Sequence, residues 1–340
     1  MDLKQFLLKG FQYGFSIGCD TTPSVPLSKN HSSALNHSEV INSHIQKSLE
    51  LNRIAGPFPH PPFDPFISSP LGVVPKSEPG QFRIIHDLSY PKDNSVNFYI
   101  PKENSAVRYD SVDWIIHLVQ QNGIHCLMAK TDIQDAFRII PINPSDYHLL
   151  GFSWNDQFYY DKCLPMGASS SCQIFEQLSV ALQWIMQCKY KAGGMSHILD
   201  DFFFIGPAGS DSCKNFLFLC KKIGIPIKMA KTKPPTSKIT IYGIEVDSDK
   251  MEARLPPVKV EKVRESLREM KGITQTTLRK LQSLIGLLNF ACSVIVPGRA
   301  FLRRLIDLTC GVSKPHELIE LTEETKQDID TWQSFINEFK

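Results

Sequence analysis

The chain has 340 residues, 42% hydrophobic and 10% aromatic, enough to bury a normal globular core, and it carries no low-complexity tract. Its formal net charge of +2 excludes a uniformly basic protein, so any polyanion must be met by a local surface. No apolar run of about 18 residues and no cationic–apolar–small leader pattern is present, and the nine cysteines are scattered without a CxxC pair. These features point to reduced, buried thiols in an intracellular chain of the cytoplasm or nucleus with no membrane partner.

Residues 1 to about 60 are rich in Ser, Asn, His and Pro. They carry one expected helix, capped by Ser38, with Val40, Ile41, Ile45 and Leu49 near helical spacing. The run from Gly56 through Pro57, Pro59, Pro61 and Pro62 suits neither helix nor central strand and reads as an extended connector. Leu71 to Pro75 and Phe82 to His86 are β-prone arms of a hairpin turning at Ser77-Glu78-Pro79-Gly80. A helix is expected from Ser111 to Gln121, closed by Gly123, and then a buried strand that ends at Asp132. A second hairpin turns across Asn155-Asp156. A long helix follows from Ala168 to Tyr190, ended by Gly193-Gly194. Two strands meet in a tight turn around Asp200-Asp201, then comes a helix from Ser212 to Ile223. Ile239 to Val246 and Met251 to Leu255 read as a last hairpin. After Pro256-Pro257 the pattern is all-helical, over about 258–271, 275–292, 297–309 and 323–338. A mixed α+β body with a helical appendage argues for two structural units.

Asp132, Asp200 and Asp201 stand out because their neighbours are apolar. Carboxylates are rarely set in such runs unless paired or bound to a cation. If their strands are neighbours, the three converge, and an oxygen-only ligand set suits Mg²⁺ and phosphate chemistry. Taken alone, Asp200-Asp201 more often marks a simple hairpin turn. Between Lys259 and Arg304 ten basic residues face three acidic ones, and between Asp307 and Glu338 two basic face eight acidic. That contrast fits either a local phosphate-facing surface or two solvated helix faces. The ten histidines show no HExxH or paired metal spacing and read as solvated or core residues.

The stretch Lys130-Thr131-Asp132-Ile133-Gln134-Asp135-Ala136-Phe137 resembles motif A of retroviral and retrotransposon reverse transcriptases. Leu164-Pro165-Met166-Gly167 resembles their motif B, and Ile198-Leu199-Asp200-Asp201 their motif C. Gly224 to Lys231 looks like motif D, and Ile241-Tyr242-Gly243 like the motif E primer grip. The region Leu284 to Ala291, with Pro297-Gly298 after it, looks like the family's thumb. The finer likeness, in Ala55 to Phe58, Ser69 to Lys76 and Val296 to Leu302, is to tyrosine-recombinase-bearing, DIRS-like retrotransposons.

The resemblance implies an α+β right-hand polymerase fold: a partly flexible extension over 1–60, fingers and palm over 61–255, and a helical thumb and connection over 256–340. It implies RNA- and DNA-directed DNA polymerase activity on a primed RNA or DNA template with deoxynucleoside triphosphates. It implies two Mg²⁺ ions, or Mn²⁺, held by Asp132, Asp200, Asp201 and the carbonyl of Ile133. Lys76 and Arg83 match the fingers residues that hold the triphosphate. Asp135 and Ala136 lie where main-chain N–H groups meet it, Phe137 matches the steric gate against a 2′-hydroxyl, and Lys231 matches the motif D proton donor. Met166 stands where the family commonly has Gln, and Ile198 where it usually has Tyr. A thioether packs on sugar or base but does not replace the amide's hydrogen bonds. Tyr242 and Gly243 match the primer grip, and Gln282, Gly286 and Phe290, at i, i+4 and i+8, match the minor-groove track. Further domains of a parent polyprotein, an RNase H or a recombinase, would be partners. The competing readings are a domesticated, catalytically silent nucleic-acid-binding fragment and an RNA-dependent RNA polymerase. A large aromatic at 137 argues against the last.

Overall fold

The computed structural model of the chain describes residues 2–24, 27–76 and 80–339. By internal contacts these form two interleaved units rather than consecutive segments. The first takes 1–109, 131–202 and 211–232, and the second takes 110–130, 203–210 and 233–340.

In the first unit the expected helix runs from Ser38–Glu50, with His37 rather than Ser38 at the cap position. It buries Ile41 and Ile45 against Ile54, Leu71, Val73, Phe152, Trp154 and Tyr159. The proline-rich stretch is more than a connector. Ile54–Phe58 forms an edge strand on Gln157–Asp161, with its register broken between Ala55 and Phe58. An edge place and an irregular register are what Pro57 permits, because proline cannot donate to a ladder. The strand Gly151–Trp154 completes this sheet, and Asn155 and Asp156 both take positive φ at its hairpin turn. The hairpin Leu71–Pro75/Phe82–His86 is paired from Leu71↔His86 to Pro75↔Phe82. The turn expected at Ser77-Glu78-Pro79 lies outside the described residues. Residues near the N-terminus are tied into this unit: Ser170 donates to the carbonyl of Ile17 at 2.7 Å, and Phe15 bridges Ile142.

The long helix is Ser171–Tyr190, ended by Lys191 in the left-handed region rather than by the two glycines, of which Gly194 opens the next strand. Its neighbour in sequence order of helices, Ser212–Ile223, ends on Gly224 at φ 79°, the conformation glycine adopts without a Cβ penalty. A four-stranded sheet has the order 194–198, 201–206, 127–132, 233–236, and its two central strands pass from one unit to the other.

In the second unit the helix Val112–Asn122 is capped by Ser111, whose side chain accepts from the Trp114 N–H, and is closed by Gly123. The expected strand over 239–246 is two strands, Lys238–Ile241 and Ile244–Asp247, folded back at Tyr242-Gly243. Both turn residues have positive φ, 49° and 79°. Glu252–Arg254 completes the sheet. The C-terminal part is helical over Pro257–Met270, Leu278–Ala291, Arg303–Asp307 and Glu323–Glu338. One departure from an all-helical region is the ribbon Gln275–Thr277/Leu318–Glu320. Its core gathers Leu267, Leu281, Leu284, Leu288, Leu305 and Trp332. Asp328 is buried and bonded by both Nε and Nη2 of Arg304, which satisfies an otherwise costly charge.

Gly298 sits against Trp332, and a Cβ there would lie 2.2 Å from the ring. The ring is fully buried and has no room to retreat. Gly298→Ala should therefore lower stability by about 1–3 kcal/mol, read as a lower urea midpoint at an unchanged slope.

Candidate active site

Asp132 is the last residue of the strand Leu127–Asp132 and Asp201 the first of Asp201–Gly206, its neighbour in the sheet. Asp200 lies in the turn between the hairpin strands, after Leu199 at φ 53°. The Ile133 N–H donates to the Asp200 carbonyl at 3.0 Å. This main-chain bond sets the first acid beside the second and third. The strand extension is pinned on its other side as well: Lys228 N–H donates to the Asp132 carbonyl at 2.8 Å, and Gln134 N–H to Pro226 at 2.9 Å. Neither bond uses the carbonyl of Ile133.

Asp132 is buried, and the Lys231 ammonium meets its carboxylate at 2.7 Å. The hydrogen bond to Asp132 pushes the Lys231 ammonium above its ordinary pKa, with the charges of all three acids adding to the rise. Burial, then the negative charge of Asp132, push the Asp200 carboxyl above its ordinary value; Asp201 adds and Lys231 opposes. The acids therefore feel one another. Among the described residues no group of three or more His, Cys, Asp or Glu side chains is placed so that it could hold a metal ion. The three side chains offer oxygen donors only, the kind a hard cation prefers, and one of them is paired with the Lys231 ammonium.

Asp135 takes the left-handed region at φ 52° and pairs with Arg53 at 2.8 Å. Ala136 opens a 3-10 turn over Ala136–Ile139 and is buried. Phe137 is half-buried, with its ring edge-on to the fully buried Phe175 at 5.5 Å. Met166 is 60% exposed, so its side chain is free to meet a ligand. Gly167 beside it is not replaceable, since a Cβ there would come within 2.0 Å of the His86 carbonyl oxygen. Asn97 brackets this loop, donating to the Gly167 carbonyl and accepting from the Ser169 N–H, both at 2.8 Å. Lys76 and Arg83 are exposed on opposite arms of the hairpin. Val74 pairs with Arg83, so Lys76, two residues on, shares the face of Arg83. All of these residues lie in the first unit.

The remaining expected residues lie in the second unit. Gln282 and Gly286 are exposed on one face of Leu278–Ala291, whose opposite face buries Leu281, Leu284 and Leu288. Space beside Gly286 is open. Phe290 continues the exposed face, and its ring packs where a Cβ at Gly243 would come within 2.9 Å. Lys259 lies over the same ring at 5.0 Å. The turn Tyr242-Gly243 and the helix face thus meet at Phe290.

Several supporting residues carry no motif signal. His197 sits between Gln183 and Glu176, at 2.5 and 3.0 Å, and Ser179 donates to the Leu199 carbonyl at 2.8 Å. The helix Ser171–Tyr190 thereby holds the acidic turn from behind. Asp161, Arg138 and His86 form a second buried group. A carboxylate closing the run Phe158-Tyr159-Tyr160 was the one hint of it in the sequence.

Because Asp200 ionises less readily in the folded chain than in the unfolded one, its charge costs stability once the pH exceeds the unfolded value. In metal-free buffer at pH 7, Asp200→Asn should melt about 1–3 °C higher than the wild type. The gain should shrink as the pH falls through about 4 and vanish below about 3, where the unfolded carboxyl is protonated too. Calorimetry in a chelator, repeated across that range, checks both the sign and the window.

No protein-family model matches the chain. Protein P of duck hepatitis B virus (strain United States/DHBV-16) is 25% identical over 166 residues, covering 47% of this chain and 19% of that protein. The Pro-Pol polyprotein of feline foamy virus is 25% identical over 252 residues, covering 66% of this chain and 20% of that protein. The chain spans about a fifth of the length of these curated relatives. Among solved structures, the foamy viral protease-reverse transcriptase dRH in complex with double-stranded DNA superposes with a TM-score of 0.71 at 17% identity, covering 96% of this chain and 52% of that one. The foamy viral protease-reverse transcriptase in complex with RNA/DNA hybrid gives 0.67 at 17% identity, covering 95% and 40%. The chain has the fold of the foamy viral reverse transcriptases and is similar in sequence to segments of viral Pro-Pol and P proteins.

Proposed function

We propose that the chain is an RNA- and DNA-directed DNA polymerase that extends a primer by nucleotidyl transfer with two divalent cations. The observation that carries this reading is the main-chain bond from Ile133 to Asp200, which sets Asp132 beside Asp200 and Asp201 at neighbouring strand ends. The relatives and the fold support it, and so does the order of the five motifs along the chain.

Asp132, Asp200, Asp201 and the Ile133 carbonyl would hold Mg²⁺, or Mn²⁺ in its place. When bound, such ions supply Lewis-acid stabilisation to the attacking and leaving oxygens. The chain's own groups do the rest. Lys76 and Arg83 offer an ammonium and a planar guanidinium to the triphosphate. The main chain of Asp135 and Ala136 receives it beside the Arg53 pair. Phe137, backed by Phe175, lies under the sugar and leaves no room for a 2′-hydroxyl. Met166 packs on sugar or base. Lys231 is protonated at neutral pH as lysines are, its bond to Asp132 raises its pKa further, and that proton would be offered to the departing pyrophosphate.

In the second unit, Tyr242 and Gly243 would hold the primer, and Gln282, Gly286 and Phe290 the minor groove. The cations from Lys259 to Arg304 add phosphate contacts that carry no sequence information. This reading assigns the fingers and palm to 61–255, the thumb to 256–340, and an N-terminal extension to 1–60. The finer kinship with DIRS-like retrotransposons rests on the stretches 55–58, 69–76 and 296–302. The nine unpaired cysteines fit the expected intracellular setting. No helix among the described residues is long and apolar enough to cross a membrane.

The test is extension of a DNA primer on an RNA template with purified protein and Mg²⁺. Wild type should extend, and Asp200→Asn should lose at least about a hundredfold in rate. Retained extension in that variant would refute the assignment of the acids. Duplex binding without extension by the wild type would favour the silent, domesticated alternative. Phe137→Val should raise ribonucleotide incorporation by about tenfold or more, measured as the ratio of kcat/KM values for the two sugars. An unchanged ratio would remove Phe137 from the gate.

A further inference from the structure

The residues expected to surround an incoming nucleotide share a buried charged support that no motif announces. Asp161 ends the strand Gln157–Asp161, and its side chain is only 7% exposed. One carboxylate oxygen accepts from Arg138 Nη2 at 2.5 Å, and the other faces His86 Nδ1 at 3.1 Å. His86 Nε2 lies 3.1 Å from the Gly151 carbonyl oxygen. The His86 ring is thus held at both nitrogens, by a carboxylate and by a main-chain carbonyl. Arg138 also reaches the Cys163 carbonyl. Charges this far from water are tolerated only in well-satisfied geometry, which leaves the group few alternative arrangements.

Each arm of the group leads to a different nucleotide-facing segment. Arg138 directly follows Phe137 in the turn Ala136–Ile139. His86 is the last residue of Phe82–His86, the hairpin arm that carries Arg83. The His86 carbonyl oxygen lies against Gly167, beside the exposed Met166. Asp161 itself pairs in register with Ile54, next to Arg53, which holds Asp135. One carboxylate therefore joins the aromatic at 137, the basic hairpin and the loop at 166–167.

We propose that Asp161 is a positioning residue for the incoming nucleotide: by joining Arg138 to His86 it fixes the spacing between Phe137 and the Met166-Gly167 loop. This rests on the polymerase reading above. Asp161 touches no reacting atom and acts through its two partners, Arg138 and His86. Its loss should loosen the sugar and triphosphate pocket while leaving the primer–template surface intact.

Single-nucleotide primer extension by Asp161→Asn tests this, run with deoxy- and ribonucleotides in parallel and beside duplex affinity and thermal melting. Asn keeps the shape and removes the charge that Arg138 pairs with and the second oxygen that faces His86. KM for the deoxynucleotide should rise roughly tenfold and sugar selection should change by at least about threefold, while the duplex Kd stays within about twofold. Arg138→Lys keeps the charge but loses the planar fork, and it should shift the same two quantities by less. It also decides the matter if Asp161→Asn does not fold. Unchanged KM and sugar selection in a folded variant overturn the proposal, as does a loss confined to kcat. A wild type that extends no primer overturns the polymerase reading itself, and the proposal falls with it.

Discussion

Asp132 and Asp200 are held close by the main chain against the repulsion of their own side chains. The bond from the Ile133 N–H to the Asp200 carbonyl, and the bonds from Lys228 and Gln134 on the other side, clamp the end of Leu127–Asp132 in place. Each such bond is worth only about 1 kcal/mol net, but an unmade one in a buried strand costs more. The strand ends are therefore fixed by backbone accounting, and the carboxylates inherit their positions. Burial first, and then the imposed nearness of Asp132, raise the acid at Asp200. Lys231 relieves part of the repulsion at Asp132. Groups held against their own repulsion in this way cost stability.

Around this clamp, polar groups are buried in places where apolar ones would pack as well. His197 with Glu176 and Gln183 stands behind the acidic turn, and Asp161 with Arg138 and His86 stands behind the residue-137 turn. Replacing such pairs by apolar side chains is often neutral or stabilising, so stability does not explain them. Directional bonds do something that apolar packing does not: they fix where a turn or ring lies to within a few tenths of an ångström. Both groups adjoin segments whose usefulness depends on that placement.

Much of the first-order plan was legible in the sequence. The β-prone run into Asp132, the helix at 212–223 with Gly224 after it, the turn at Asn155-Asp156 and the capped helix at 112–122 each follow from local chemistry. The acids were legible because carboxylates in apolar runs are rare. What was not legible is pairing across long separations. Nothing local tells that Ile54–Phe58 would add an edge strand to 157–161, or that Asp161 would meet His86 75 residues away. The misreading of 239–246 as one strand has a local cause. Tyr242-Gly243 sits inside the β-prone run Ile239 to Val246, and a tyrosine at φ 49° is a conformation the residue does not advertise.

That same turn shows why the second unit can be sequence-indifferent on the proposed reading. A glycine at 243 lets the Phe290 ring come in close, and the ring in turn carries the Lys259 ammonium on its face. The helix face beyond it offers an amide at Gln282 and bare backbone at Gly286. Apart from that one amide, none of these groups distinguishes one base edge from another. A π face and a small residue follow the sugar edge of a duplex, and an ammonium finds phosphate whatever the bases are. Specific side-chain hydrogen bonds on this face would slow a protein that must release one step and grip the next. The second unit presents mostly apolar and point-charge groups where the first presents a fixed constellation of acids, and this matches a chemistry demanding at the bond being made and tolerant everywhere else along the strand.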